Sequence, residues 1–264
     1  MNDNPLVIWE VVPELLQLGP VTIRWYGLLF AMGFAVGFFI IRKIFRAEGK
    51  QERDLETLLT YVVVGTVIGA RLGHCLFYDP DYFLSHPLEI LKVWKGGLAS
   101  HGGGIGVLIS LWLYSRSRPN QPFLWLCDRV AIPTALAGAF IRLGNLFNSE
   151  IYGQPTKVAW SFVFKRIDEQ ARHPTQVYES ISYLAIFALL WINYLRCGKQ
   201  LARGQNLGIF LALVFAARFF IEFFKVRQAS YGADWGLTIG QFLSIPAFIV
   251  GAFLLFRARK PEQG

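Results

Sequence analysis

The sequence predicts an all-α polytopic membrane protein: seven transmembrane helices, a small cap outside the membrane, the amino terminus outside and the carboxyl terminus in the cytoplasm. Three observations predict it. Of the 264 residues 54% are apolar, mean hydropathy is +0.39 and there are 25 glycines. That is too apolar for an ordinary soluble domain and rich in a residue that membrane helices tolerate. The apolar residues fall into seven runs, each close to the length that crosses a ~30 Å hydrocarbon core as a helix. Lys and Arg divide unevenly between alternate loops.

The amino-terminal segment carries Asp3, Glu10 and Glu14 and no basic region ahead of an apolar core. It does not read as a cleavable signal peptide, so the first span acts as the membrane signal. That span is Val21–Ile41, followed by Leu55–Tyr78. The segment 79–97, with YDPDYF and SHPLEIL, reads as a turn and a short amphipathic stretch at the interface. Leu98–Tyr114 and Phe123–Phe147 are the third and fourth spans. The segment 149–173 is the longest break, and VAWSFVF at Val158–Phe164 suggests a strand or two in a small external cap. Pro174–Leu195, Leu207–Phe224 and Leu237–Phe256 complete the set. No internal repeat divides the chain, so 1–264 is expected to form a single transmembrane domain.

Arg42, Lys43, Arg46, Lys50 and Arg53 share one side with Arg116, Arg118, Arg196, Lys199, Arg203, Arg257, Arg259 and Lys260. The opposite loops hold fewer basic residues, Lys225 and Arg227 among them, so the first set is placed in the cytoplasm. The net charge of +8 is accounted for in this way, or by anionic lipid, and no nucleic acid is expected. Cys75, Cys127 and Cys197 lie in or beside separate spans without metal-ligand spacing, so neither a disulfide framework nor a metal is expected. No nucleotide-binding loop points to a cofactor either.

In this topology, residues early in odd spans and late in even ones share one depth. There lie Arg24, Tyr26, Arg71, His74, Ser100, His101, Arg142, Asn145, His173, Gln176, Glu179, Arg218, Glu222 and Gln241. An Arg at the bilayer centre costs about 2.5–3.5 kcal/mol on insertion scales, so such residues need pairing, water or an anionic ligand. A single Arg at a span end ordinarily snorkels or locks two helices, as is expected of Arg24 or Arg71 taken alone and of Arg129 beside Asp128. Helical spacing offers the pairs Arg218 with Glu222, Arg142 with Asn145 and Arg71 with His74, and Glu150, Glu179 and Asp234 offer further charge. KGGLASHGGGIG, Lys95–Gly106, allows either tight helix packing or close approach of a lipid headgroup.

These residues resemble the prolipoprotein diacylglyceryl transferase family of bacterial inner membranes. RLGNLFNSEIYG at Arg142–Gly153 is similar to the family signature, and RWYG at Arg24–Gly27, SHGGG at Ser100–Gly104, RHPTQVYE at Arg172–Glu179 and RFFIEFF at Arg218–Phe224 follow in the expected order. The family places a tyrosine four positions before Arg218, where this chain has Val214, and no role passes to that position. The resemblance implies transfer of the diacylglyceryl unit of phosphatidylglycerol to the lipobox cysteine thiol of a preprolipoprotein, with release of glycerol 1-phosphate. It implies a multi-pass protein of the inner membrane whose site faces the periplasm, with the lipid and the signal peptide as partners. Arg142, with Asn145 and Gly153, is expected to hold the lipid phosphate, and Arg218, fixed by Glu222, to assist. His101 or Tyr26 takes or orients the thiol proton, while Glu150, Glu179 and Gln176 shape the pocket. A transporter would need polar groups across the whole membrane, whereas ISLWLY and IFALLW are apolar; a hydrolase using Ser100 with His101 fails because adjacent helical residues point about 100° apart.

Overall fold

The computed structural model describes residues 7–19, 21–226 and 237–258. Asp234, Arg227, Arg259 and Lys260 lie outside these. Among the described residues, six helices are long and apolar enough to cross a membrane: α1 (Trp25–Glu48), α2 (Glu52–Phe77), α6 (Phe123–Phe147), α7 (Thr175–Cys197), α8 (Gln205–Ile221), which a 3₁₀ turn extends to Phe224, and α9 (Ile239–Arg257). The other expected span is α5 (Ser100–Arg116), whose 17 residues reach only about 25 Å at 1.5 Å per residue. Between α2 and α5 run two short helices, α3 (Pro80–Ser85) and α4 (Pro87–Ile90). The chain divides into two compact units, one of residues 41–127 and one of residues 1–40 with 128–264.

In the unit of residues 41–127, α2 and α5 touch along glycines. A Cβ built on Gly73 would lie 2.7 Å from Gly102 Cα, and one on Gly69 2.8 Å from Gly106 Cα. Small residues four apart on both helices let the backbones meet, as in membrane helix pairs generally. Gly102 and Gly106 are therefore packing residues, whereas Gly104 faces open space.

Arg71, only 5% exposed, does not pair with His74. Its guanidinium donates to the carbonyls of Glu89 (2.6 Å), Ile90 (2.9 Å), Gly96 (2.7 Å) and Gly97 (3.2 Å) and lies over the Phe83 ring. It fastens α4 and the turn after it to α2, leaving Leu84, Leu88, Leu91 and Trp94 exposed. At the far end of α2, Asp54 accepts from Arg118 Nε and Gln121 Nε2.

The other unit holds five strands that the apolar runs only partly announce. Strand β1 (Val7–Trp9) pairs parallel with β4 (Phe162–Phe164), which pairs antiparallel with β5 (Ala171–Arg172). A hairpin joins β2 (Glu14–Leu18) to β3 (Val21–Arg24), with Gly19 in its turn at φ +58°. The first span therefore starts at Trp25, because the β-branched Val21, Thr22 and Ile23 extend and pair instead. Arg24 points outward, 3.8 Å from Glu14, and takes no part in the site described below. Pro133 in α6 and Pro246 in α9 are accommodated inside helices.

Asp128 of α6 is fully buried and accepts from the backbone N–H groups of Gly204 (2.7 Å) and Leu207 (2.9 Å), capping α8, whose own N-cap is a glycine. Arg129 beside it is 0% exposed, so it does not snorkel.

Candidate active site

The site is built where α6 ends. Arg142 and Asn145 share a face one turn from that end, and Arg142 Nη1 donates to Asn145 Oδ1 at 3.2 Å. Asn145 Nδ2 and Asn148 Nδ2 donate onward to the two oxygens of Glu150, at 3.2 and 3.1 Å. The turn that carries Glu150 is strained: Ser149 and Ile151, on either side, both sit at φ +55°. That region is costly for a β-branched residue and is kept only where its surroundings enforce it. Here the Ile151 carbonyl accepts from Thr175 Oγ1 at 2.7 Å and the Glu150 carbonyl from Gln176 Nε2 at 2.6 Å, so α7 holds the turn in place.

The first two turns of α7 direct one polar face inward, with Gln176, Glu179, Ser180 and Tyr183 all buried. Ser180 Oγ donates to Ala139 O at 3.2 Å and docks this face on α6. Glu179 is 0% exposed. One of its oxygens lies 3.1 Å from Arg142 Nε, and the other accepts from Lys225 Nζ at 3.0 Å. The Tyr183 hydroxyl also hydrogen-bonds the Arg142 guanidinium. Two cations thus compensate one fully buried carboxylate.

Lys225 is the residue that sequence reasoning missed, having counted it among loop charges. Its side chain is 9% exposed and touches Glu222 as well, at 3.1 Å. The expected pair of Glu222 with Arg218 does not form. The chain tightens to a 3₁₀ turn over Glu222–Phe224, which brings residue i+3 back over residue i. Lys225 takes the carboxylate, and Gly240 of α9 closes on its other side: a Cβ there would stand 2.8 Å from Glu222 Cδ. Among the described residues, the Arg218 guanidinium makes no ion pair and no hydrogen bond. It lies close enough to Tyr183 to act on it electrostatically. The spacing of Glu222 and Lys225 was the available signal, but the helical alternative with Arg218 was equally open.

Tyr26 packs on the same wall. A Cβ on Gly144 would fall 2.8 Å from Tyr26 Cδ2, so the glycine is what admits the ring against α6. The structure thus brings together Tyr26, Arg142, Asn145, Glu150, Gln176, Glu179 and Glu222, with Arg218 nearby. Gly153 stands apart from the expectation that it helps hold a phosphate. Its N–H is already donated to His173 O at 2.9 Å, and its Cβ position is filled by His173 and by Phe224 O, 2.8 Å away, so it serves close backbone packing. His101 belongs to the unit of residues 41–127, where its exposed ring stacks on Tyr78 and meets Phe77 edge-on.

Beyond the site, Arg172 clamps Asp168 through Nε and Nη2 and donates Nη1 to Gly153 O at 3.3 Å. The guanidinium holds the Asp168 carboxyl below the usual carboxylate range, and the Arg172 guanidinium is raised in return. Burial pushes the His173 imidazole below its ordinary range. Its Nδ1 lies 3.1 Å from Tyr178 Oη, which accepts from Trp160 Nε1 at 2.8 Å.

Apolar helices long enough to cross a membrane, around a largely buried set of arginines, a lysine and carboxylates with one guanidinium uncommitted among the described residues, define a multi-pass membrane protein with a charged site. The family model described as prolipoprotein diacylglyceryl transferase matches residues 13–257. The chain is 53% identical to a phosphatidylglycerol–prolipoprotein diacylglyceryl transferase of Chloroherpeton thalassium over 100% of its length and 98% of the relative's. It is 52% identical to the one of Tolumonas auensis, over 97% of this chain and 99% of that one, and 45% identical to the one of Porphyromonas gingivalis, over 98% and 97%. The chain belongs to the prolipoprotein diacylglyceryl transferase family.

Proposed function

We propose that this enzyme transfers the diacylglyceryl group of phosphatidylglycerol to the lipobox cysteine of preprolipoproteins, the first step of bacterial lipoprotein maturation. The thiolate sulfur attacks the glyceryl carbon that bears the phosphate ester. The C–S bond forms as the C–O bond breaks, and the electron pair leaves with glycerol 1-phosphate. Negative charge grows on the phosphate oxygens as that bond lengthens, so a guanidinium fork aimed at them stabilises the transition state more than the ground state.

The observation that carries this reading is the inequality of the cations. Arg142 is engaged by Glu179 and Asn145 and Lys225 by Glu179 and Glu222, while Arg218 is uncommitted among the described residues. Arg218 is therefore the principal phosphate donor, with Arg142 beside it, held to one orientation by its partners. Asn145, Glu150, Glu179 and Gln176 shape and neutralise the pocket, Glu222 is turned to Lys225 beside it, and Gly153 fixes its backbone. A free cysteine thiol has a pKa near ~8.5, so its proton must be taken at neutral pH, by His101 or by Tyr26. A pH profile separates them: His101→Asn that is equally active at every pH assigns the step to Tyr26 or to the positive field.

In this reading α5 is the seventh crossing, the amino terminus is periplasmic and the carboxyl terminus cytoplasmic, supported by the basic residues on one set of loops. The enzyme sits in the inner membrane with its site toward the periplasm, where residues 149–173 form the cap. Residues 79–97 lie along the interface, an arrangement supported by the Arg71 clamp and the exposed leucines. Purified protein given phosphatidylglycerol and a lipobox peptide should yield a diacylglyceryl adduct by mass, and none with a peptide whose cysteine is replaced by serine. An adduct independent of the thiol, or hydrolysis of the lipid alone, contradicts the reading.

A further inference from the structure

Lys225 has no part in the chemistry above, yet it is the most heavily constrained cation at the site. Its N–H donates to Glu222 O at 3.2 Å, its carbonyl accepts from Gln154 Nε2 at 3.0 Å, and its strand-like bridge to Gly153 ties it to the turn beside α7. We propose that Lys225 is a positioning residue that keeps Glu222 away from Arg218, leaving the Arg218 guanidinium open to the lipid phosphate. The assignment rests on the transferase reading given above.

Glu222 and Arg218 are poised to pair. The Glu222 N–H donates to Arg218 O, so the helical path continues through both residues and places them one turn apart on the same face. A carboxylate and a phosphate compete for the same planar fork, because both accept its parallel N–H donors. Among the described residues it is the Lys225 ammonium, 3.1 Å from the Glu222 carboxylate, that draws the carboxylate the other way. Gly240 leaves just enough space behind for it to stay there. Without the ammonium, the strongest remaining attraction on the Glu222 carboxylate among the described residues is the Arg218 guanidinium. The same lysine balances Glu179, so that Arg142 does not face that carboxylate alone.

The test uses the full-length enzyme, phosphatidylglycerol in mixed micelles and a lipobox peptide. Lys225→Gln should raise the KM for lipid at least about tenfold, the loss of one charge-assisted hydrogen bond, with the KM for peptide unmoved. Lys225→Arg should retain activity. Glu222→Gln/Lys225→Gln, which removes the competing carboxylate, should recover most of the lost lipid affinity. A lysine that merely holds the fold would not be rescued in this way. Should Lys225→Gln fail to accumulate in membranes, Gly240→Ala displaces the same carboxylate from behind and should raise the lipid KM. An unchanged lipid KM in either variant, or a double variant no better than Lys225→Gln, overturns the assignment. Absence of any adduct from the unsubstituted enzyme would instead overturn the transferase reading.

Discussion

Replacing Glu179 with Gln is the most informative single perturbation of the charged site. The side chain keeps its shape but loses its charge, leaving Arg142 Nε, at 3.1 Å, and Lys225 Nζ, at 3.0 Å, without their shared anion. Removing one partner of a buried ion pair costs about 3–5 kcal/mol. The Gln carbonyl can still accept one hydrogen bond and returns about 0.5–1.5 kcal/mol. The net destabilisation is ~2–4 kcal/mol, a fall in Tm of roughly 5–12 °C for a chain of this size. Cys75 is buried and forms no disulfide, so a thiol-reactive fluorophore reports the melting directly. Adding Lys225→Gln to Glu179→Gln should cost less than the sum of the two, since the second change removes a cation that the first left stranded. A Glu179→Gln protein that melts within about a degree of the parent, or strictly additive effects, would refute the idea that this carboxylate holds the site together.

Arg142→Lys keeps the charge but loses the fork that engages Asn145 and Glu179; kcat should fall about 10²–10³-fold in the peptide assay. Gly73→Ala puts a methyl 2.7 Å from Gly102 Cα, which is backbone and cannot turn aside. It should destabilise the α2–α5 pair by about 1–3 kcal/mol, read as a lower thermal midpoint. The Asp168 carboxyl is held below its ordinary range by Arg172. Its contribution is therefore complete above an unfolded value of about 3.9 and is lost as pH falls through the lower folded value. Amides of residues 162–172 should keep their hydrogen-exchange protection down to about pH 4 and lose it below, and Asp168→Asn should remove that dependence.

Much of the helical layout follows from apolar run length. The fourth span ends at Phe147 in both readings because polar residues fill the next three positions, and the fifth begins within a residue of Thr175 behind Pro174. Composition could not show that Val21–Arg24 would pair with a second strand, since a β-branched apolar tetrapeptide fits either an extended edge or a helix start. The joining of Arg142 and Asn145 was readable from helical spacing, and their meeting with Glu179 from shared depth. The fate of Glu222 was not readable. Arg218 at i−4 and Lys225 at i+3 are equal partners in a sequence, and only the tightening of one turn decides between them. Arg71 locks elements together, as an arginine at a span end is expected to, but its partners are main-chain carbonyls and not His74, and carbonyls leave no trace in residue identity.

The account stands on a guanidinium from α8 touching the phosphate of an anionic lipid. Solid-state NMR of the enzyme with arginine ¹⁵N-labelled and phosphatidylglycerol bound measures that contact through dephasing of the ³¹P signal. Strong dephasing that drops sharply in Arg218→Lys is the predicted result. A phosphorus signal indifferent to the substitution would contradict it.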